Sequence, residues 1–204
     1  MENFFSLPAS KQKTIRNAAL RVFGQNGYRK ASVKDISDAA GISKSMVFYY
    51  FESKKNLYFY LVDYCSQVLT GALKSQNNQL PNDYFDKMKV ATERQMRVLK
   101  EEPFFMTFLI TMLSESDPEV SEELNTFRTY AASFQSDYAF KNVDLSKFKD
   151  DVDTNVVFRM ILWMAEGYSK SISFDNEEAF QRSIDEFTQC LEMLRKNLYK
   201  EEFI

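Results

Sequence analysis

Between residues 32 and 51, the side chains with chemistry to offer are Lys44, Ser45, Met46, Tyr49 and Tyr50. An ammonium, a hydroxyl and two phenols can bond phosphate oxygens and base edges. A thioether or a ring can pack on a thymine methyl. This is recognition chemistry rather than bond-making chemistry, and it needs a short helix that presents these side chains outward.

The flanking residues supply that helix and its support. Ser32 suits a helix cap, with Asp35 three residues on as the reciprocal side of a capping box. Val33, Ile36, Ala39 and Ala40 share one helical face, and the two alanines let a second helix cross closely. Gly41 can take a positive φ at a tight turn. Ile42 plugs the core, Ser43 caps the next helix, and Val47 and Phe51 face back inward. The result is a helix, a turn and a second helix, a helix-turn-helix whose second helix can lie in a DNA major groove. An ordinary helical hairpin has the same outline, so the outward Lys and Tyr side chains carry the DNA reading.

Charge points the same way. Residues 1–60 hold ten Lys and Arg against four acids, a net +6, while residues 61–204 carry a net −9 within a chain of −3 overall. A basic end on an acidic body is the footprint of one DNA-contacting module. The 204 residues contain no histidine, which removes the commonest general base and transition-metal ligand. There is no P-loop, GxGxxG or GxSxG. The chain therefore reads as a non-enzyme, with no cofactor and no metal site expected. Cys65 and Cys190 sit in apolar helical patterns and read as buried thiols of a reducing cytoplasm. No apolar run reaches 18 residues and Met1–Ser10 has no secretory pattern, so a cytoplasmic protein with no membrane partner is expected.

Five glycines, four prolines and no convincing alternation make the whole chain all-α. Helices are expected at about 10–25, ended by Asn26-Gly27, then in the motif, and from Lys54 along a stripe of Leu57, Leu61 and Cys65. Residues 77–82 read as a loop, and Pro103 as the first turn of a helix. Asp117-Pro118 opens another helix with Val120, Leu124, Phe127, Ala131 and Phe134, and a polar stretch follows at 135–149. The two closing helices span about 152–172 and 177–200, separated by a break at 173–176. The first of these has a very wide apolar arc and needs cover on two sides.

From Ile15 to Leu57 the sequence resembles the TetR family of bacterial transcriptional regulators. The resemblance is carried by Ala18-Ala19, Phe23, Gly27-Tyr28, Ser32, Asp35-Ile36, Ala39 to Ser43, Val47 to Phe51, Ser53-Lys54 and Leu57. It implies an N-terminal three-helix DNA-binding domain at 1–56 and a larger helical effector-binding and dimerisation domain at 57–204. It implies that Ser32 and Ser43 cap helices and touch phosphate, and that Lys44, Ser45, Met46 and Tyr49 face bases. Phe48, Tyr50 and Lys54 take positions at the phosphate backbone. Two departures count: Ser45 stands where glycine is common, and Phe48 lacks a hydroxyl for phosphate.

The remainder is rich in Phe, Tyr and Met. Phe105, Phe108, Met112, Phe127, Phe134, Phe158, Met160, Trp163 and Met164 could line an apolar effector cavity or simply fill the core. Ala165, Tyr168, Phe180, Ile184, Phe187, Leu191 and Leu194 are expected in a two-helix homodimer interface. The resulting expectation is a ligand-responsive regulator, a repressor that binds a palindromic double-stranded operator as a dimer. A small apolar or amphipathic effector releases it. The alternative is a soluble dimeric small-molecule carrier or interaction protein whose helix-turn-helix is structural.

Overall fold

The computed structural model describes residues 1–74, 81–102, 104–169, 172 and 176–204. Pro103, most of the 77–82 loop and most of the 173–176 break lie outside them. Among the described residues, the helices are α1 (Glu2–Phe5), α2 (Ala9–Lys30), α3 (Val33–Ala40), α4 (Lys44–Phe51) and α5 (Lys54–Lys74). They continue as α6 (Tyr84–Glu101), α7 (Phe105–Ser114), α8 (Ser121–Phe140), α9 (Thr154–Ser169) and α10 (Glu177–Leu198). The only extended pairing among these residues is an isolated antiparallel bridge between Phe148 and Tyr199. No helix among them is long and apolar enough to cross a membrane.

The chain forms two compact units. One holds residues 1–71 with 101–131, and the other holds 72–100 with 132–204. In the first, α2 is interrupted by a kink at Gly27, whose φ 68° and ψ 173° are not helical, so the regular helix stops at Asn26-Gly27 as its pattern indicates and a short turn to Lys30 follows. The kink frees the Tyr28 N–H, which donates to the Glu115 carboxylate at 2.6 Å.

Helix α7 meets α2 backbone to backbone. A Cβ on Gly24 would stand 2.9 Å from the Phe108 nitrogen and 3.1 Å from the Thr107 carbonyl carbon. One turn on, the Thr111 hydroxyl donates to the Gly24 carbonyl at 2.7 Å. Arg128 of α8 closes the end of α7 by donating to the Met112 and Glu115 carbonyls at 2.6 and 2.8 Å. These contacts satisfy carbonyls that the end of a helix leaves without partners.

The second unit is built on Tyr84, Phe85, Phe148, Phe187 and Tyr199, all buried. Its polar anchor is Asp83, which receives the Lys147 ammonium at 2.8 Å and the backbone N–H groups of Phe85 and Asp86. Arg195 stands 3.9 Å away. Burial pushes the Asp83 carboxyl up, but these donors and charges outweigh it and hold the group below the usual carboxylate range. Lys87 is buried and donates to the Lys141 carbonyl at 2.6 Å; burial lowers its pKa. Helix α8 runs on to Phe140, through the start of the stretch read as polar, because Ala139 is buried and Tyr138 and Phe140 are partly buried on its inner face.

Candidate nucleic-acid interface

The helix-turn-helix forms as its residue types require. Ser32 accepts from the Asp35 N–H at 3.0 Å and opens α3. Gly41 takes φ 65°, and the N–H of Ile42 returns to the Ser37 carbonyl. Reversing the chain in this way leaves only glycine without a steric cost. Ser43 then accepts from the Met46 N–H at 3.3 Å and opens α4. Val47 and Phe51 are buried, as their four-residue spacing indicates.

Ser43, Lys44, Ser45, Phe48 and Tyr49 lie on the exposed side of α4, and Met46 is half-buried at its edge. Tyr49 is 60% exposed. The Ser43 and Ser45 hydroxyls share a hydrogen bond of 2.8 Å. The Lys44 ammonium lies 5.9 Å from the Phe48 ring centre. Lys34 on α3 pairs with Asp38 at 3.0 Å, and that carboxylate raises its pKa.

Two residues expected at the phosphate backbone are turned elsewhere. Tyr50 is 3% exposed and faces inward, its ring against Phe4 and Phe51. Lys54 donates to the Tyr28 and Ala31 carbonyls at 3.0 and 3.3 Å, and stands 4.3 Å from the Tyr28 ring centre. The carbonyl-rich end of α2 attracts a cation, so Lys54 staples α2 to the start of α5.

The nine aromatic and Met residues read as a possible cavity do not form one group. Phe105, Phe108 and Met112 are core residues of the first unit, to which Phe127 also belongs. Phe134, Phe158 and Met164 belong to the second unit, Phe158 buried there and the other two half-buried. Met160 and Trp163 are 42% and 65% exposed. A cleft of about 350 Å³ in the second unit is lined by Lys89, Glu93 and Arg97 of α6, and by Phe180, Gln181, Ile184, Asp185 and Thr188 of α10. It takes in none of the nine.

The residues expected between subunits are largely turned inward. Phe180, Phe187 and Leu191 are buried within the second unit, and Ala165, Tyr168 and Leu194 pack against its core. Ile184 lines the cleft. The outward apolar stripe is instead Val156, Met160 and Trp163 on α9, with Met193 exposed on α10. The amphipathic pattern of α10 marks its inner face, and that face is used within the subunit.

Residues 15–61 match the model of the bacterial regulatory proteins of the tetR family. Over this stretch the chain is similar to TetR-family regulators. The transcriptional regulator RutR of Escherichia coli K12 is 34% identical over 67 residues, 33% of this chain and 32% of RutR. The match thus spans about a third of that relative. The transcriptional repressor AcnR of Corynebacterium glutamicum is 24% identical over 168 residues, 79% of this chain and 81% of AcnR. The fold of the whole chain is shared with solved structures of such regulators. A TetR family regulator from Chloroflexus aurantiacus superposes with a TM-score of 0.77 at 18% identity, covering 98% of this chain and 99% of that one. FadR from Bacillus subtilis, solved in complex with stearoyl-CoA, gives 0.64 at 16% identity over 87% and 96%.

Proposed function

We propose that this chain is a ligand-responsive transcriptional repressor of the TetR family that binds a palindromic operator as a homodimer through α4. The observation that carries the reading is the outer face of α4. Lys44, Ser45, Phe48 and Tyr49 stand exposed on a helix fixed from below by Val47 and Phe51, at the end of the chain with net +6. Exposed rings beside a lysine gain nothing from water, but gain contacts against base edges and sugar. Repression is favoured by the relatives: AcnR is named a repressor, and IcaR of Staphylococcus aureus a negative transcriptional regulator.

Dimerisation is supported by the stripe Val156, Met160 and Trp163, spaced by four and three residues on one face of α9. Leaving such a stripe in water is unfavourable, and a second copy of the same face buries it with two-fold symmetry. Two recognition helices then meet half-sites about 34–36 Å apart. A small apolar or amphipathic effector that favours a differently spaced pair lowers operator affinity by its differential affinity for the two states. An apolar effector is favoured by the aromatic second unit and by the stearoyl-CoA held in the FadR structure.

The test is fluorescence anisotropy of the full chain with palindromic duplexes selected from random sequence, against scrambled duplexes at physiological salt. Tighter binding to the selected duplex, lost on adding a long-chain acyl compound, supports the reading. Equal affinity for both duplexes refutes it.

A further inference from the structure

We infer that α1 is part of the DNA-reading device, with Phe4 as a positioning residue that holds α4 from behind. The inference rests on the reading of α4 as the DNA-binding helix. It concerns residues outside the 15–61 stretch that matches the family.

A four-residue helix has no stability of its own, so α1 is held by what it packs on. Phe4 is fully buried. Its ring centre lies 4.8 Å from Phe51, 5.1 Å from Tyr60 and 6.1 Å from Tyr50. Gln12 of α2 fixes the segment that follows, donating to the Phe5 and Leu7 carbonyls at 3.1 and 2.8 Å. Phe4 therefore joins α4 and α5 at one point.

Helix α4 is only eight residues long, too short to be stable alone. Its orientation depends on the three side chains it buries, Val47, Tyr50 and Phe51. Phe4 touches two of the three. Without its ring, Tyr50 and Phe51 face a void, and α4 gains room to tilt and to turn Tyr50 outward. The face that meets DNA keeps all its side chains but loses its fixed pose. Affinity then falls by the fraction of time spent in the docking pose. Base preference and salt dependence stay as they are, because no base or phosphate contact has been removed.

The test compares the full-length wild type with Phe4→Ala, Phe4→Leu and Phe5→Ala; Phe5 is the exposed neighbour at 57%. Operator affinity is measured over a salt series, and amide hydrogen exchange is measured without DNA. For Phe4→Ala we expect affinity about tenfold weaker or more, with an unchanged salt slope. Exchange should quicken in residues 44–51 and stay unchanged in 180–198. Phe4→Leu should restore most of the affinity, and Phe5→Ala should match the wild type. Wild-type affinity for Phe4→Ala overturns the inference, as does faster exchange throughout the chain, which marks general destabilisation. If the wild type binds no selected duplex, the proposed function fails on its own. The exchange arm still decides whether Phe4 holds α4: quicker exchange confined to 44–51 upholds it, and unchanged exchange there overturns it.

Discussion

Adding one methyl group at Gly24 tests whether α2 and α7 are locked by backbone contact. In an open helix position, Gly→Ala stabilises by about 1 kcal/mol, because glycine loses more freedom on folding. Gly71 in α5 is such a position, with nothing within 4 Å of an added Cβ. At Gly24 the same methyl would lie 2.9 Å from the Phe108 nitrogen and 3.2 Å from its Cα. These are backbone atoms and cannot rotate away, so α7 must move off α2. Overpacking of this kind costs about 1–3 kcal/mol. The 2.7 Å bond from Thr111 to the Gly24 carbonyl is stretched in the process, a loss of about 1 kcal/mol. After the helix-propensity gain, Gly24→Ala should destabilise by about 2 kcal/mol, a fall in Tm of about 4–8 °C for a chain of this size. Gly71→Ala should raise Tm by a few degrees. Urea and thermal unfolding of both variants, followed by circular dichroism, check this. A Gly24→Ala protein as stable as the wild type would refute the backbone lock, and a matching loss at Gly71 would show that the cause lies elsewhere.

Three further outcomes follow from the contacts. Lys54→Ala should destabilise by about 1.5–3 kcal/mol, the worth of hydrogen bonds to a charged group, and leave the salt slope of DNA binding unchanged. A drop of about one in that slope would restore Lys54 to the phosphate backbone. Asp83→Asn should cost about 3 kcal/mol at pH 7, since it leaves Lys147 and Arg195 without their shared partner. Asp83 has its carboxyl pKa lowered in the fold, so its stabilisation is present above the unfolded value of about 3.9 and lost as pH falls through the folded one. The variant should therefore show a flatter acid limb below about pH 4 in urea titrations; an unchanged limb would remove Asp83 as its source. Trp163→Arg should give a folded monomer by light scattering and circular dichroism, whereas Leu191→Arg should unfold the second unit, since Leu191 is 1% exposed. A Trp163→Arg dimer would place the interface off α9.

Where local physics is decisive, the sequence could be read directly. Ser32, Gly41 and Ser43 each do the one thing their type and place demand: a cap, a left-handed turn and a second cap. Each is fixed within four residues of chain, so no distant partner can overrule it. Tyr50 and Lys54 were misread because their partners are remote. The Tyr50 ring is covered by Phe4, and the Lys54 ammonium is claimed by carbonyls more than twenty residues away. On the helix alone, both side chains are as free to face DNA as Tyr49 is.

The closing helices show the same limit more sharply. The wide apolar arc of α9 implies cover on two sides, but periodicity cannot say which half the subunit itself buries. In the fold, Val157, Phe158 and Ile161 are buried while Val156, Met160 and Trp163 are exposed. Residues 156 and 157 are neighbours in sequence and about 100° apart on the helix, so a small rotation of α9 would exchange their roles. That rotation is set by Phe187 and Leu191 arriving from α10, which fill the inner half first. What remains outside is the half carrying Val156, Met160 and Trp163. Trp163 was read as pocket lining and Leu191 as interface because each was judged by its apolar character alone. The packing order of α9 and α10 reverses them: Leu191 belongs to the core of its own unit, and Trp163 is left exposed.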